Sequence, residues 1–134
     1  MQSHSLVALV TLLALLTYFG LGIQVAIARR KSGIEAPATT GHPLLERAMR
    51  VHYNTLEWMP TFLASLWLFA IYWNDRVAAA LGVVWIIGRL IYSAAYMADP
   101  AKRGPGFGIQ ALATAILLFG ALGRVTYILI TVGV

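Results

Sequence analysis

An all-α integral membrane fold, a bundle of four transmembrane helices, is what this sequence predicts. Three features require it. The chain of 134 residues is 60% hydrophobic and 11% charged, with a mean hydropathy of +0.76, too apolar to cover the surface of a soluble domain. A transmembrane helix needs about 20 apolar residues, and four such runs fill this length almost completely. The charged residues lie mainly between the runs and not within them. The expected organisation is therefore one transmembrane domain over residues 1–134, with function carried by the bundle or its short loops.

The first helix is expected over about 6–28, too long for a signal-peptide core and with no Lys or Arg before it. Arg29, Arg30 and Lys31 follow directly, so the small residues Ala26 and Ala28 read as the end of a retained helix and not as a cleavage site. Gly33, Pro37, Gly41 and Pro43 punctuate the loop after it. The second helix is expected over 44–73, roughly 45 Å at 1.5 Å per residue, against a hydrocarbon core of about 30 Å. Its first half is polar, so it projects from the bilayer on the side of the first loop. Pro60 inside it is an expected kink. Asn74-Asp75-Arg76 reads as a tight turn, with a third helix over 77–97. Asp99 to Gly106 reads as a loop, with a fourth helix over 107–131.

This alternation puts Arg29, Arg30, Lys31, Arg47, Arg50, Lys102 and Arg103 on one side and Arg76 and Arg124 on the other. The positive-inside rule assigns the crowded side to the cytoplasm and both termini to the opposite side. A net charge of +5 and a pI near 10 then report topology, and nucleic acid is not an expected partner. Cysteine is absent, which excludes a disulfide, a thiolate metal site and a protein thiol nucleophile; any sulfur chemistry needs a substrate's sulfur. His4, His42 and His52 lack metal-ligand spacing, and Gly104-Pro105-Gly106-Phe107-Gly108 lacks the Lys-Ser/Thr of a phosphate loop and reads as a turn.

Some charges need more than topology. Arg47, Arg50, Asn54 and Glu57 fall within an arc of about 80° on the second helix, running toward the hydrocarbon. The plain structural reading is an ion pair of Arg50 with Asn54 or Glu57. Arg89, Tyr92 and Tyr96 share a face within about 60° on the third helix. Arg89 lies roughly 12 Å from the cytoplasmic end of its helix. A charge at a helix centre costs about 2.5–3.5 kcal/mol on insertion scales, and Glu57 is the expected partner to offset it. Together, Arg50, Glu57, Tyr92, Tyr96 and Arg103 fit an anionic ligand at the membrane boundary, with Asn54 and Glu57 holding an amide and an ammonium group. A small zwitterionic peptide with two carboxylates meets that description.

The run Glu46-Arg47-Ala48-Met49-Arg50-Val51-His52-Tyr53-Asn54-Thr55-Leu56-Glu57-Trp58-Met59-Pro60 is followed by Gly88-Arg89-Leu90-Ile91-Tyr92-Ser93-Ala94-Ala95-Tyr96 and then by Arg103. Ala28-Arg29-Arg30 and Thr39-Thr40-Gly41 precede it. This pattern resembles the MAPEG family, the membrane-associated proteins of eicosanoid and glutathione metabolism, over nearly the whole chain and in the manner of its microsomal glutathione S-transferases. The resemblance implies a homotrimer of four-helix subunits binding glutathione between neighbours, with lipid around it. It implies glutathione contacts at Arg50, Asn54, Glu57, Tyr92 and Tyr96, and at His52, a position only some members use and one nearly opposite Asn54 on a helical wheel. Arg29 and Arg30 match a pair of arginines near the thiol in leukotriene-forming members, Arg29 as a contact and Arg30 as a catalytic residue. Arg103 matches the arginine credited with stabilising the thiolate.

The activity so implied is a glutathione transferase, or a peroxidase using the same thiolate on a lipid hydroperoxide, with glutathione as co-substrate and a hydrophobic electrophile arriving from the bilayer. Trp58 departs from the tyrosine of some members, and Asp99 adds a negative charge near Arg103. Two other classes compete: a non-catalytic membrane protein of the same fold, and a small proton-coupled multidrug transporter. The transporter requires a carboxylate deep in an apolar helix away from arginines, unlike Glu57.

Overall fold

The computed structural model describes residues 3–133, so the two ends of the expected 1–134 domain lie outside it. Four α-helices and one short 3-10 turn account for nearly all of it: α1 (Ser5–Ser32), α2 (Pro43–Tyr72), α3 (Asp75–Ala98), the turn Pro100–Arg103, and α4 (Gly104–Val132). No strand occurs among the described residues.

Local chemistry sets the ends. Helix α1 carries its apolar register on through Arg29, Arg30 and Lys31, whose charges complement the negative end of the helix dipole, four residues past the expected end. It stops at Gly33, whose φ of 69° is the left-handed conformation glycine tolerates and whose N–H donates to the Arg29 carbonyl. The His42 ring caps α2 by accepting from Leu44 N at 3.1 Å, with Pro43 in the first helical position, where its missing N–H is harmless. Asn74 caps α3 by accepting from Arg76 N and Val77 N, so the helix begins two residues before the expected Val77. Helix α2 is continuous through Pro60.

Helix α4 corrects one expectation. Gly104-Pro105-Gly106 is not a turn but the first helical turn of α4, with Pro105 near its start. Gly106 is buried against the backbone of Tyr92 and Gly88, where any side chain would meet main-chain atoms, and Gly88 likewise packs against the backbone of Gln110. The two glycines let α3 and α4 approach to backbone contact, as small residues do in membrane bundles.

Helices α2 and α3 are central, each packing against the other three. The core is formed by Val7, Ala14, Phe62, Leu66, Trp85 and Leu117, among others, with the Phe62 and Trp85 rings stacked at 4.0 Å. Side-chain hydrogen bonds staple the helices: Trp67 Nε1 donates to Thr11 Oγ1 at 3.0 Å, and Trp73 Nε1 to the Gly120 carbonyl at 2.7 Å. Outward-facing Leu12, Leu16, Phe19, Leu112, Phe119, Leu122 and Ile130 leave an apolar exterior. Helices α1 and α3, and the stretch Pro100–Val132, are long and apolar enough to cross a membrane. The polar first half of α2 sets it apart in composition, although it packs alongside the three others. The protein is an integral membrane helical bundle.

Candidate functional site

The basic end of the bundle is where α1 finishes, α2 begins and α3 passes into α4. A cavity of about 580 Å³ opens there, lined by Arg50, Asn54, Tyr92, Tyr96, Arg103 and Phe107. That is within the range of roughly 300–1,000 Å³ common to small-molecule sites. Arg50 and Asn54 come from α2, one turn apart on one face, and Tyr92 and Tyr96 from one face of α3. Arg103 comes from the 3-10 turn and Phe107 from the first turns of α4. The tyrosine rings lie 5.6 Å apart, and Tyr92 stands 6.2 Å from Phe107.

Glu57 lies two turns further along α2, with Oε1 3.5 Å from Arg50 Nη1. Both side chains are more than half exposed, at 53% and 56%, so the contact is a loose surface pair worth at most about 1 kcal/mol. A ligand carrying its own charges can displace it. Phenol, guanidinium and amide hydrogens predominate around this cavity, and Glu57 adds one acceptor at its edge. The arrangement suits a ligand rich in carboxylates with one cationic group.

Arg89 corrects a second expectation: its partner is not Glu57. The side chain is wholly buried, and its Nη1 donates to Asn54 Oδ1 at 2.7 Å and to Thr55 Oγ1 at 3.3 Å. The guanidinium lies over the rings of Tyr92, at 4.8 Å, and Trp85, at 5.7 Å. Aromatic faces and neutral oxygens, not a carboxylate, surround this charge. Arg47 also leaves the stripe in function: its Nη1 donates to the Met97 and Ala98 carbonyls, closing the C-terminal end of α3.

The remaining residues expected at the site lie elsewhere. His52 stacks on Tyr18 of α1, with ring centroids 4.6 Å apart. It lines a separate, largely apolar groove of about 450 Å³ with Leu15, Phe19, Gly22, Ile23 and Ala26. Arg29 Nη1 donates to the Ala38 carbonyl at 2.7 Å and to the Ile34 carbonyl at 3.3 Å, tying down the loop between α1 and α2. Arg30 is exposed beside it. Within one chain, Arg50, Asn54, Tyr92, Tyr96 and Arg103 thus come together, with Glu57 at their edge. His52, Arg29 and Arg30 do not join them.

One cavity residue, Phe107, lies outside the sequence expectations, and Arg89, singled out there, has a partner other than the expected one. Phe107, taken only as a helix start, forms a cavity wall; its spacing of four from Arg103 was the available signal. Arg89 acts on Asn54, a contact between helices that no pattern within one helix reveals. Among the described residues no cluster of His, Cys, Asp or Glu is able to hold a metal ion.

A four-helix membrane bundle with arginines and tyrosines around a polar cavity at one end defines the class. Residues 7–123 match the MAPEG family. The chain belongs to the MAPEG family. It is 49% identical over 115 residues to an uncharacterized protein of Synechocystis, covering 86% of this chain and 84% of that one. It is 42% identical to human microsomal glutathione S-transferase 2, over 80% of this chain and 72% of the relative. It is 34% identical to bovine leukotriene C4 synthase, over 93% and 84% respectively.

Proposed function

We propose that the protein is a membrane glutathione transferase that ionises the glutathione thiol and directs it at hydrophobic electrophiles. The cavity carries this reading: Arg50, Asn54, Tyr92, Tyr96 and Arg103 converge on a space suited to a small peptide with two carboxylates. The names of two relatives, a microsomal glutathione S-transferase and a leukotriene C4 synthase, support it.

In this reading Arg50 and the tyrosine hydroxyls bind carboxylate oxygens, Asn54 donates to a peptide or carboxylate oxygen, and Glu57 takes the α-ammonium group. Arg103 faces the sulfur. A thiol of pKa about 8.5 is mostly protonated at neutral pH, and a guanidinium beside it favours its anion. The thiolate attacks the electrophilic carbon, the sulfur–carbon bond forms, and the leaving group departs with its electron pair. The same thiolate serves a peroxidase reaction, in which two glutathiones and a lipid hydroperoxide give an alcohol, water and glutathione disulfide.

We further propose a homotrimer. Arg29, Arg30 and His52 lie on the α1 side, apart from the cavity, and a neighbouring copy brings such a face to it. The positive-inside rule supports an inner or cytoplasmic membrane with the site on its cytoplasmic side. Glu57 argues against a proton-coupled transporter: it is exposed and beside Arg50, not isolated in an apolar helix.

The test is a titration of the detergent-purified protein with glutathione, followed by thiolate absorbance in the ultraviolet and by conjugation of a chloronitrobenzene. Saturable binding with a thiolate signal at neutral pH is the expected result. Absence of binding refutes the reading. Binding with neither thiolate nor conjugation favours the non-catalytic alternative.

A further inference from the structure

Arg89 is the most heavily buried charge in the bundle, and folding alone gives it little reason to be there. It is 0% exposed, and no carboxylate lies within ion-pair distance of it among the described residues. Its Nε and Nη2 atoms are enclosed without a hydrogen-bond partner. An apolar side chain of similar volume serves packing better at such a position. What Arg89 does have is two contacts with the cavity wall, the hydrogen bond to Asn54 and the ring of Tyr92.

The hydrogen bond has a directional consequence. A guanidinium carries five N–H donors and no acceptor. The Asn54 side-chain amide is able to face it only with its oxygen. Its Nδ2 hydrogens are thereby turned away from Arg89, and Asn54 is one of the residues lining the cavity. An unconstrained asparagine presents oxygen or nitrogen with similar ease. Held this way, Asn54 is a donor only and adds to Arg50, Arg103 and the two tyrosine hydroxyls around the same space.

We propose that Arg89 is a positioning residue that locks the Asn54 amide with its N–H₂ toward the ligand, so that this part of the site selects a carbonyl or carboxylate oxygen. The assignment deepens, and depends on, the reading of the cavity as a glutathione site. Arg89 touches neither ligand nor reacting sulfur; it acts through Asn54.

The test measures the glutathione dissociation constant and kcat at saturating glutathione in the full-length protein. Arg89→Met, which keeps the volume and removes the donor, weakens glutathione roughly tenfold to a hundredfold, the loss expected for one hydrogen bond to a charged oxygen. Its kcat at saturation stays within about threefold, because the bond is made equally in ground and transition states. Arg89→Lys, whose ammonium donates and cannot accept, recovers most of the affinity. The decisive readout is the double variant: Arg89→Met with Asn54→Ala binds glutathione no worse than Asn54→Ala alone, because the effect passes through Asn54. Additive losses overturn the proposal, as does unchanged affinity in Arg89→Met. If neither Arg89 variant folds, Asn54→Asp supplies the reading, since it keeps the Arg89 contact but turns an acceptor oxygen to the cavity. It then weakens glutathione at least about tenfold, and unchanged affinity there overturns the proposal. Failure of the unsubstituted protein to bind glutathione refutes the transferase reading and this one together. Normal binding there, with additive losses in the variants, removes this one alone.

Discussion

Asp99 and Arg103 bracket the same short 3-10 turn, and their charges do not pair. The Asp99 carboxylate accepts from Ala101 N at 3.0 Å as the cap of the turn, while Arg103 Nη1 donates to the Pro100 carbonyl at 2.8 Å. The acidic residue beside Arg103 also builds the turn that presents it. Arg103 is exposed at the cavity and free of any ion pair among the described residues.

Arg103→Ala is therefore expected to abolish the thiolate absorbance at neutral pH while changing glutathione affinity by less than about tenfold. Conjugation at neutral pH falls by about tenfold or more, because less of the bound glutathione is ionised, and rises with pH toward the free thiol's pKa near 8.5. Asp99→Asn keeps an oxygen to cap the turn and removes a negative charge. A nearby anion raises a thiol's pKa, so its removal moves the thiolate titration to lower pH, by less than about one unit. A shift to higher pH in Asp99→Asn would mean that the cap, not the charge, governs Arg103.

The loose Arg50–Glu57 pair predicts a different split. On the transferase reading, Arg50→Ala removes a carboxylate contact shared by ground and transition states. It raises the KM for glutathione about tenfold or more with kcat little changed at saturation. Its effect on thermal stability is small, since an exposed pair contributes at most about 1 kcal/mol. A large loss of stability in Arg50→Ala would contradict the geometry.

Arg47 lies on the same stripe and gives the opposite pattern. It holds the last carbonyls of α3. Arg47→Ala should destabilise the bundle by about 0.3–1 kcal/mol, as for a cation lost from a helix C-terminus. Glutathione affinity should stay within about threefold, because that loss alters the end of α3 and not the cavity wall. Parallel thermal melts and glutathione titrations check both.

These contrasts show what was legible in the sequence. Four apolar runs and a lopsided arginine count are one-dimensional signals, and they carry the bundle and its basic end. The wheel geometry of α2 correctly separated His52 from Asn54, because an angle about one helix follows from spacing alone. Contacts between helices do not. Glu57 was the plausible partner for Arg89 on charge, but the crossing of α2 and α3 sets Asn54 and Thr55 against it instead. The start of α4 was misread for a related reason. Gly104-Pro105-Gly106 has the composition of a turn, and only the close approach to α3 explains helical glycines there.

That approach makes Gly106 a sensitive position. A methyl group at Gly106 meets the Tyr92 backbone and the Gly88 carbonyl, and main-chain atoms of a packed helix move little. Gly106→Ala is expected to cost roughly 1–3 kcal/mol as overpacking. It also pushes Phe107 and Tyr92 apart, so glutathione affinity falls with stability. Gly108, with open space around it, is the control: Gly108→Ala leaves both measurements at or above their original values.

The separation of Arg30 from the cavity yields the test of assembly. If a site joins Arg50 of one subunit to Arg30 of its neighbour, Arg50→Ala and Arg30→Ala each impair every site in a uniform oligomer. Co-expression in equal amounts then produces mixed oligomers. At each interface, intact Arg50 meets intact Arg30 in about one case in four, the product of two even chances in a closed ring of heterologous contacts. Activity at low glutathione, where both single variants are slow, should recover to about a quarter of the original. A site formed within one subunit gives no recovery beyond the average of the two variants. The same measurement thus decides whether Arg30 belongs to the site or only to the fold.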